Sequence, residues 1–302
     1  MRKLSLIILI SGFAISGFAQ YNLDLGLQVG GSNYLGEIGG KEDSRKNFVS
    51  DIKMSQTKFA LGGFVRYRFI PRLSAKVGLN YVRISGDDKL STNPGRAGRN
   101  LSFRNDITEL AVTAEYVFYE IPDLGRTMRF RNDFKMYAFA GIGAIYHNPK
   151  ALYNGKYIPL QPLKTEGVSY GKVNASIPLG IGLYATLDKK HRIGWELSWR
   201  TTFTDYLDDI STVYADPATL SSPEAVALAN RRDELKETNN YPHPTNYAPG
   251  NKRGDPSHKD SFISTSLSYS YVLRGKSSFY KSRYGSVFKG NKGKKRKVRA
   301  KF

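Results

Sequence analysis

Three groups of residues in this chain have types and spacing that could do chemistry. Asp24, Glu109, Glu115 and Glu196 fall with Arg66, Arg68, Lys76 and Arg200 on the polar phase of alternating stretches, four acids against four bases. Carboxylates shielded from water can serve as general acid and base. A four-to-four balance, however, is what mutual neutralisation requires, because buried charge is tolerated only when paired. The expectation is a salt-bridge network filling an interior. Asp205, Asp208, Asp209 and Asp216 offer the oxygen ligands that Ca²⁺ takes, although without EF-hand spacing. A solvated loop bonded to its own backbone accounts for the same four residues. His147, His191, His243 and His258 show no H-E-x-x-H spacing and belong to no assignable Ser-His-Asp set. No catalytic or cofactor-binding residue is therefore assigned, and the only metal candidate is the aspartate group.

The third group is the C-terminal stretch. Residues 274–302 hold twelve Lys or Arg and no Asp or Glu, in a chain of net charge +20. Such a run suits anionic headgroups, peptidoglycan acids or an acidic protein surface. Phe279, Tyr280, Tyr284 and Phe288 lie among the charges, so a docking segment is expected in which these rings act with Lys294, Lys295, Arg296, Lys297 and Arg299. A nucleic-acid arm would look similar in a cytoplasmic protein. The other end of the chain argues against that compartment. Arg2 and Lys3 precede an apolar run over residues 4–15, and Gly17-Phe18-Ala19 supplies small residues for cleavage. Residues 1–19 thus read as a secretory signal, with Gln20 the first mature residue.

The elements that position these groups show a period of two. Over residues 193–204, Ile193, Trp195, Leu197, Trp199 and Phe203 alternate with Gly194, Glu196, Ser198, Arg200 and Thr202; over 262–273, Ile263, Leu267, Tyr269, Tyr271 and Leu273 alternate with four serines. Five further segments, near residues 21–30, 59–69, 73–81, 109–118 and 175–187, behave the same way, with Phe64 and Val117 breaking the polar phase. An eighth, 136–146, is apolar on both faces. Tight turns at 69–72 and 188–192, with a longer one at 120–134, face loops at 37–58, 85–105, 147–174 and 205–259. In the last, Ser222-Pro223-Glu224 predicts a capped helix to about Glu237.

Eight strand-length segments, seven of them alternating, short and long connections in turn, and aromatic residues near the segment ends predict an all-β fold: an eight-stranded antiparallel transmembrane β-barrel with long extracellular loops. One expected girdle includes Tyr21, Tyr67, Phe69, Tyr116, Phe118, Tyr137, Trp195, Tyr269 and Tyr271. The other includes Tyr34, Phe59, Tyr81, Tyr146 and Phe203. A soluble β-sandwich shares the alternation but not the connection pattern. The chain divides into the signal at 1–19, the barrel at 20–273 and a basic periplasmic tail at 274–302. It has no cysteine, which excludes a disulfide framework.

Four stretches carry a family resemblance: GGSNYLGEIG at 30–39, LSFRNDITEL at 101–110, FTDYLDDIST at 203–212 and RGDP at 253–256. They resemble the PorG family of outer-membrane barrels. That resemblance implies a non-enzymatic component of the Bacteroidetes type IX secretion system, associated with the periplasmic ring of PorK and PorN. The expected partners are then outer-membrane lipid and PorK/PorN-like ring proteins, with the barrel itself monomeric. The rival expectation is a surface adhesin or defence barrel acting through its outer loops.

Overall fold

The computed structural model describes residues 23–38, 54–121, 133–188, 190–235 and 244–273. The signal at 1–19 and every docking residue assigned to the tail lie outside these. Eight long strands form the wall: β1 (Leu23–Leu35), β2 (Lys58–Ile70), β3 (Leu73–Asp87), β4 (Ser102–Ile121), β5 (Asp133–Tyr146), β8 (Val173–Leu187), β9 (His191–Thr202) and β10 (Ser261–Leu273). A short hairpin, β6 (Pro149–Tyr153) and β7 (Lys156–Pro159), projects beyond the wall and pairs with it through β4.

Every pairing is antiparallel. The order β3-β2-β1-β10-β9-β8-β5-β4 closes on itself through β3 and β4, with Leu73 opposite Tyr116 and Asp87 opposite Ser102. Leu23 pairs with Leu273, so the barrel's first and last residues meet at the rim that carries the tight turns. That rim is called the turn end below, and the opposite one the loop end.

The strands run as the alternation predicts, and the burial is inverted relative to a water-soluble fold. Leu27, Val29, Leu79, Ile142 and Leu267 are each more than half exposed on the outer wall, whereas Asp24, Glu109 and Glu115 inside are 1 % exposed or less. A Leu or Ile side chain left in water forfeits about 1.5–3 kcal/mol relative to burial, so this exterior fits hydrocarbon. The all-β, eight-stranded transmembrane barrel is the fold. Among the described residues no helix is long and apolar enough to cross a membrane. In β5, where both faces are apolar, Lys135, Tyr137 and Phe139 point inward.

Several expectations need correction. The loop expected at 85–105 is one-third strand, because β3 and β4 stay paired to Asp87 and Ser102, past the barrel wall. Between them a short helix, α1 (Pro94–Arg99), is capped by Asn93, whose side chain accepts from Gly95 and Arg96 N–H. The helix starting at Pro223, α2 (Pro223–Ala229), stops well before Glu237. Asn230 leaves helical geometry there: its amide donates to the Tyr247 carbonyl and accepts from Arg232 N–H. Tyr34 and Tyr137 belong to no girdle. Both are buried, since each hydroxyl finds a carboxylate inside.

At the loop end the connections fold over the mouth. Phe262, Ile84, Ile107, Ile145, Leu207 and Ile210 are almost wholly buried in one apolar cluster with Tyr34 and Phe103. This cap continues the barrel interior upward, from a polar storey into an apolar one.

Candidate functional site

The lumen is built from the inward phase of all eight wall strands. Near the turn end, Arg66 Nε lies 2.7 Å from Glu115 and its Nη1 3.5 Å from Asp24. Arg192 also pairs with Asp24, and Lys76 pairs with Glu196 while standing 3.8 Å from Glu115. Nearer the loop end, Arg200 Nε donates to Glu109 at 2.7 Å; Asn80 and Ser176 donate to the same carboxylate, each at 3.1 Å. Arg200 also donates to Ser264 Oγ at 2.6 Å.

Aromatic rings fill the space between the charges. The Arg66 guanidinium sits 5.0 Å over Tyr184 and 5.3 Å over Tyr137, and the Lys76 ammonium 5.0 Å over Phe139. Glycines leave the room these groups need. A Cβ on Gly143 would stand 2.5 Å from Ser176 Oγ and 3.3 Å from Glu109, and one on Gly182 would meet the Tyr137 ring at 2.4 Å. A void of about 20 Å³ bordered by Gln28, Lys76, Asn80, Glu196 and Arg200 has room for about one water. This geometry neutralises four acids with four bases and occupies an interior that is only wide enough for side chains.

The lumen expectation needs one exchange. Asp24, Glu109, Glu115, Glu196, Arg66, Lys76 and Arg200 come together as expected, but Arg68 stands half-buried nearer the rim and donates to Tyr184 Oη at 3.1 Å. Arg192 takes its place. Extending the even phase of β9 back from Gly194 would have found it. Lys135, itself buried, lies 2.7 Å from the partly exposed Glu120 and forms a separate pair with it at the turn end. It was hidden by the two apolar faces of β5.

Three of the four aspartates sit in the cap and are not in a solvated loop: Asp205, Asp208 and Asp209 are all nearly inaccessible. Tyr34 Oη lies 2.7 Å from Asp208 and 2.6 Å from Asp260, and Leu207 and Ile210 N–H donate to the two carboxylates. Asp209 accepts from Thr165 and Tyr170, each at 2.5 Å. Asp216 is elsewhere, capping a short turn through Ala218 N–H. Their bonds hold the cap closed, and among the described residues no group of three His, Cys, Asp or Glu has metal-holding geometry.

Burial pushes Asp208 up to about 7 and Asp209 up to about 6, the Arg253 charge opposing the latter. Burial and then the Asp208 charge hold Asp260 well above the carboxylate range, and burial lifts Glu37 to about 7 against the pull of Arg99. Arg253 in turn bridges Glu166 at 2.9 Å and is buried, so its guanidinium is a structural clamp.

The histidines are equally local. His147 is wholly buried beside Asn174, and burial lowers it to about 4. Ser257, His258 and Asp255 adjoin one another in an exposed turn, but serine and aspartate both meet the Nδ1 atom, at 2.8 and 3.3 Å. A relay needs them on opposite ring nitrogens. His243 lies outside the described residues.

Solved structures similar to this chain are small barrels. The N-terminal β-barrel domain of Pseudomonas aeruginosa OprF is 10% identical, covering 82% of this chain and 96% of its own, with a TM-score of 0.32. Neisserial surface protein A is 8% identical, covering 85% and 100%, with a TM-score of 0.36. The Yersinia pestis attachment invasion locus protein Ail, solved with the heparin analogue sucrose octasulfate, is 11% identical, covering 83% and 95%, with a TM-score of 0.33. No curated protein matches the chain. Residues 1–220, by contrast, match the model of one sequence family, described as a domain of unknown function, DUF6089, and the chain belongs to that family.

Proposed function

We propose that this protein is a non-enzymatic outer-membrane anchor of the type IX secretion machinery, holding a PorK/PorN-like periplasmic ring through residues 274–302. One observation carries the reading: the lumen is packed with paired charges, and β10 delivers the chain at the turn-end rim, directly before the basic stretch. A barrel filled in this way is suited to fixing something at a membrane. With residues 1–19 as an export signal, the turn end faces the periplasm, and the stretch that follows β10 in sequence carries twelve cations with interleaved rings. The resemblance of the 30–39, 101–110, 203–212 and 253–256 stretches to PorG barrels supplies the named machine.

Photo-crosslinkers placed at Tyr280, Tyr284 and Phe288 in intact cells test the partner. Adducts with ring proteins are expected, and adducts with lipid or peptidoglycan alone would refute the ring assignment. A second reading, a surface adhesin or defence barrel, is favoured by the ordered cap, which exposes Val168, Val213 and Val226. It predicts that trimming the cap loops abolishes function while removing residues 274–302 does not.

A further inference from the structure

Above the apolar belt the outer wall of β3 and β4 changes character. Leu79 and Leu110, exposed and opposite one another, are followed outward by Tyr81 with Thr108, Arg83 with Asp106, Ser85 with Arg104, and Asp87 with Ser102. A cleft of about 410 Å³ opens there, between this ribbon, Gln56 and Lys58 at the head of β2, and Leu152 and Tyr157 of the β6–β7 hairpin. Arg83 lies two residues past Tyr81, about 5 Å further along the barrel axis at ordinary strand rise and tilt. That height falls in the headgroup layer, which is about 5–8 Å deep on each side of the hydrocarbon; Arg104 starts two residues higher, opposite Ser85, and its side chain reaches back to this level, with Nη2 3.8 Å from Asp106.

The charges lining the cleft are incompletely matched. Asp106 serves Arg83 at 2.5 Å and takes a hydrogen bond from Tyr81. Arg104 is only 3.8 Å from that carboxylate; its guanidinium lies 3.8 Å over the Tyr157 ring, and its Nε is buried without a hydrogen-bond partner. Lys58 has no ion pair among the described residues. The lining acid, Asp87, is used to cap the turn at Lys89. Two cations with unused donors therefore face a cleft at headgroup height, with an aromatic ring fixing one of them. A guanidinium held in this way matches the geometry of phosphate oxygens.

We propose that this cleft seats the phosphate of a membrane lipid, with Arg104 and Lys58 as its ligands. The proposal rests on the barrel crossing a membrane, as the anchor reading does, but on neither the ring nor the tail. The test is native mass spectrometry of the full chain released from micelles, with phosphatidic acid as probe, diacylglycerol as its phosphate-free match, and inorganic phosphate as the soluble source. Insertion is checked separately by the heat-induced gel shift, so failure to form a membrane barrel is told apart from failure to bind.

One phosphatidic acid per chain should be retained in preference to diacylglycerol. Lys58→Gln with Arg104→Gln should lower retention about tenfold, since each surface cation contributes severalfold. Arg72→Gln at the turn end should leave it unchanged. Should the double variant not insert, Lys58→Gln alone carries the test, with a severalfold loss expected. Equal retention by wild type and variant, equal retention of diacylglycerol, or equally tight binding of inorganic phosphate would each overturn the proposal.

Discussion

Arg200→Ala should destabilise the barrel by about 3 kcal/mol. Glu109 is wholly buried and accepts from Arg200 at 2.7 Å, with Asn80 and Ser176, both neutral, as its other donors. Breaking a buried ion pair by removing one partner costs roughly 3–5 kcal/mol, because the remaining charge stays desolvated. The two neutral donors keep the loss toward the lower figure. Ser264 loses a partner as well, and the Phe262 ring loses the guanidinium 5.4 Å from its centroid. Against a total of about 5–15 kcal/mol for an ordinary domain, such a loss is readily measured.

Urea unfolding in lipid vesicles, followed by Trp195 and Trp199 fluorescence, measures it. The second substitution, Glu109→Gln in the Arg200→Ala background, removes the orphaned charge and should recover more than half of the loss, giving a coupling well above the additive limit. A single-variant loss below about 1 kcal/mol, or no recovery on adding Glu109→Gln, would refute the reasoning that the lumen is held by compensated buried charge.

Arg68→Ala, by contrast, removes a half-buried donor to one tyrosine hydroxyl, and should cost no more than about 1 kcal/mol in the same assay. The cap should respond to pH. Asp208 and Glu37 are raised to about 7 and Asp260 is raised as well, so the closed cap binds more protons than the open one between about pH 4 and 7. The stability they contribute is complete below about pH 4 and is lost as the pH rises through 7. Hydrogen exchange at Leu207 and Ile210 N–H, corrected for intrinsic rate, should quicken over that range, and Asp208→Asn should flatten the dependence; protection that rises with pH would contradict the assignment. Reconstituted in planar bilayers, the barrel should show no sustained ion conductance, whereas a stable wide conductance would contradict the filled lumen.

The strand phases were legible because a membrane barrel writes its two environments onto alternate residues, as in β1, where Leu25, Leu27 and Val29 face outward between Asp24, Gly26 and Gln28. That same rule placed seven of the eight lumen charges. It failed at Arg192, which lies where strand passes into turn, and in β5, where Tyr137 and Phe139 face inward as cation-binding rings and alternation carries no signal. The cap was beyond reach for a different reason. Its contacts join residues far apart in sequence, such as Tyr34 with Asp208 and Asp260, or Arg253 with Glu166, and nothing local marks an aspartate as buried. The extended β3–β4 ribbon was missed because Arg83, Arg104 and Asp106 make its outer face polar once it rises above the apolar belt.

The central claim is that the barrel anchors and the basic C-terminal stretch does the holding. Deleting residues 274–302 and following three readouts in one strain tests it most directly: the heat-induced gel shift of the barrel, co-purification of the PorK/PorN-like ring, and secretion of a cargo protein. The account predicts an inserted barrel with the normal gel shift, a ring no longer recovered with it, and impaired secretion. An inserted barrel that still captures the ring and supports full secretion would contradict it.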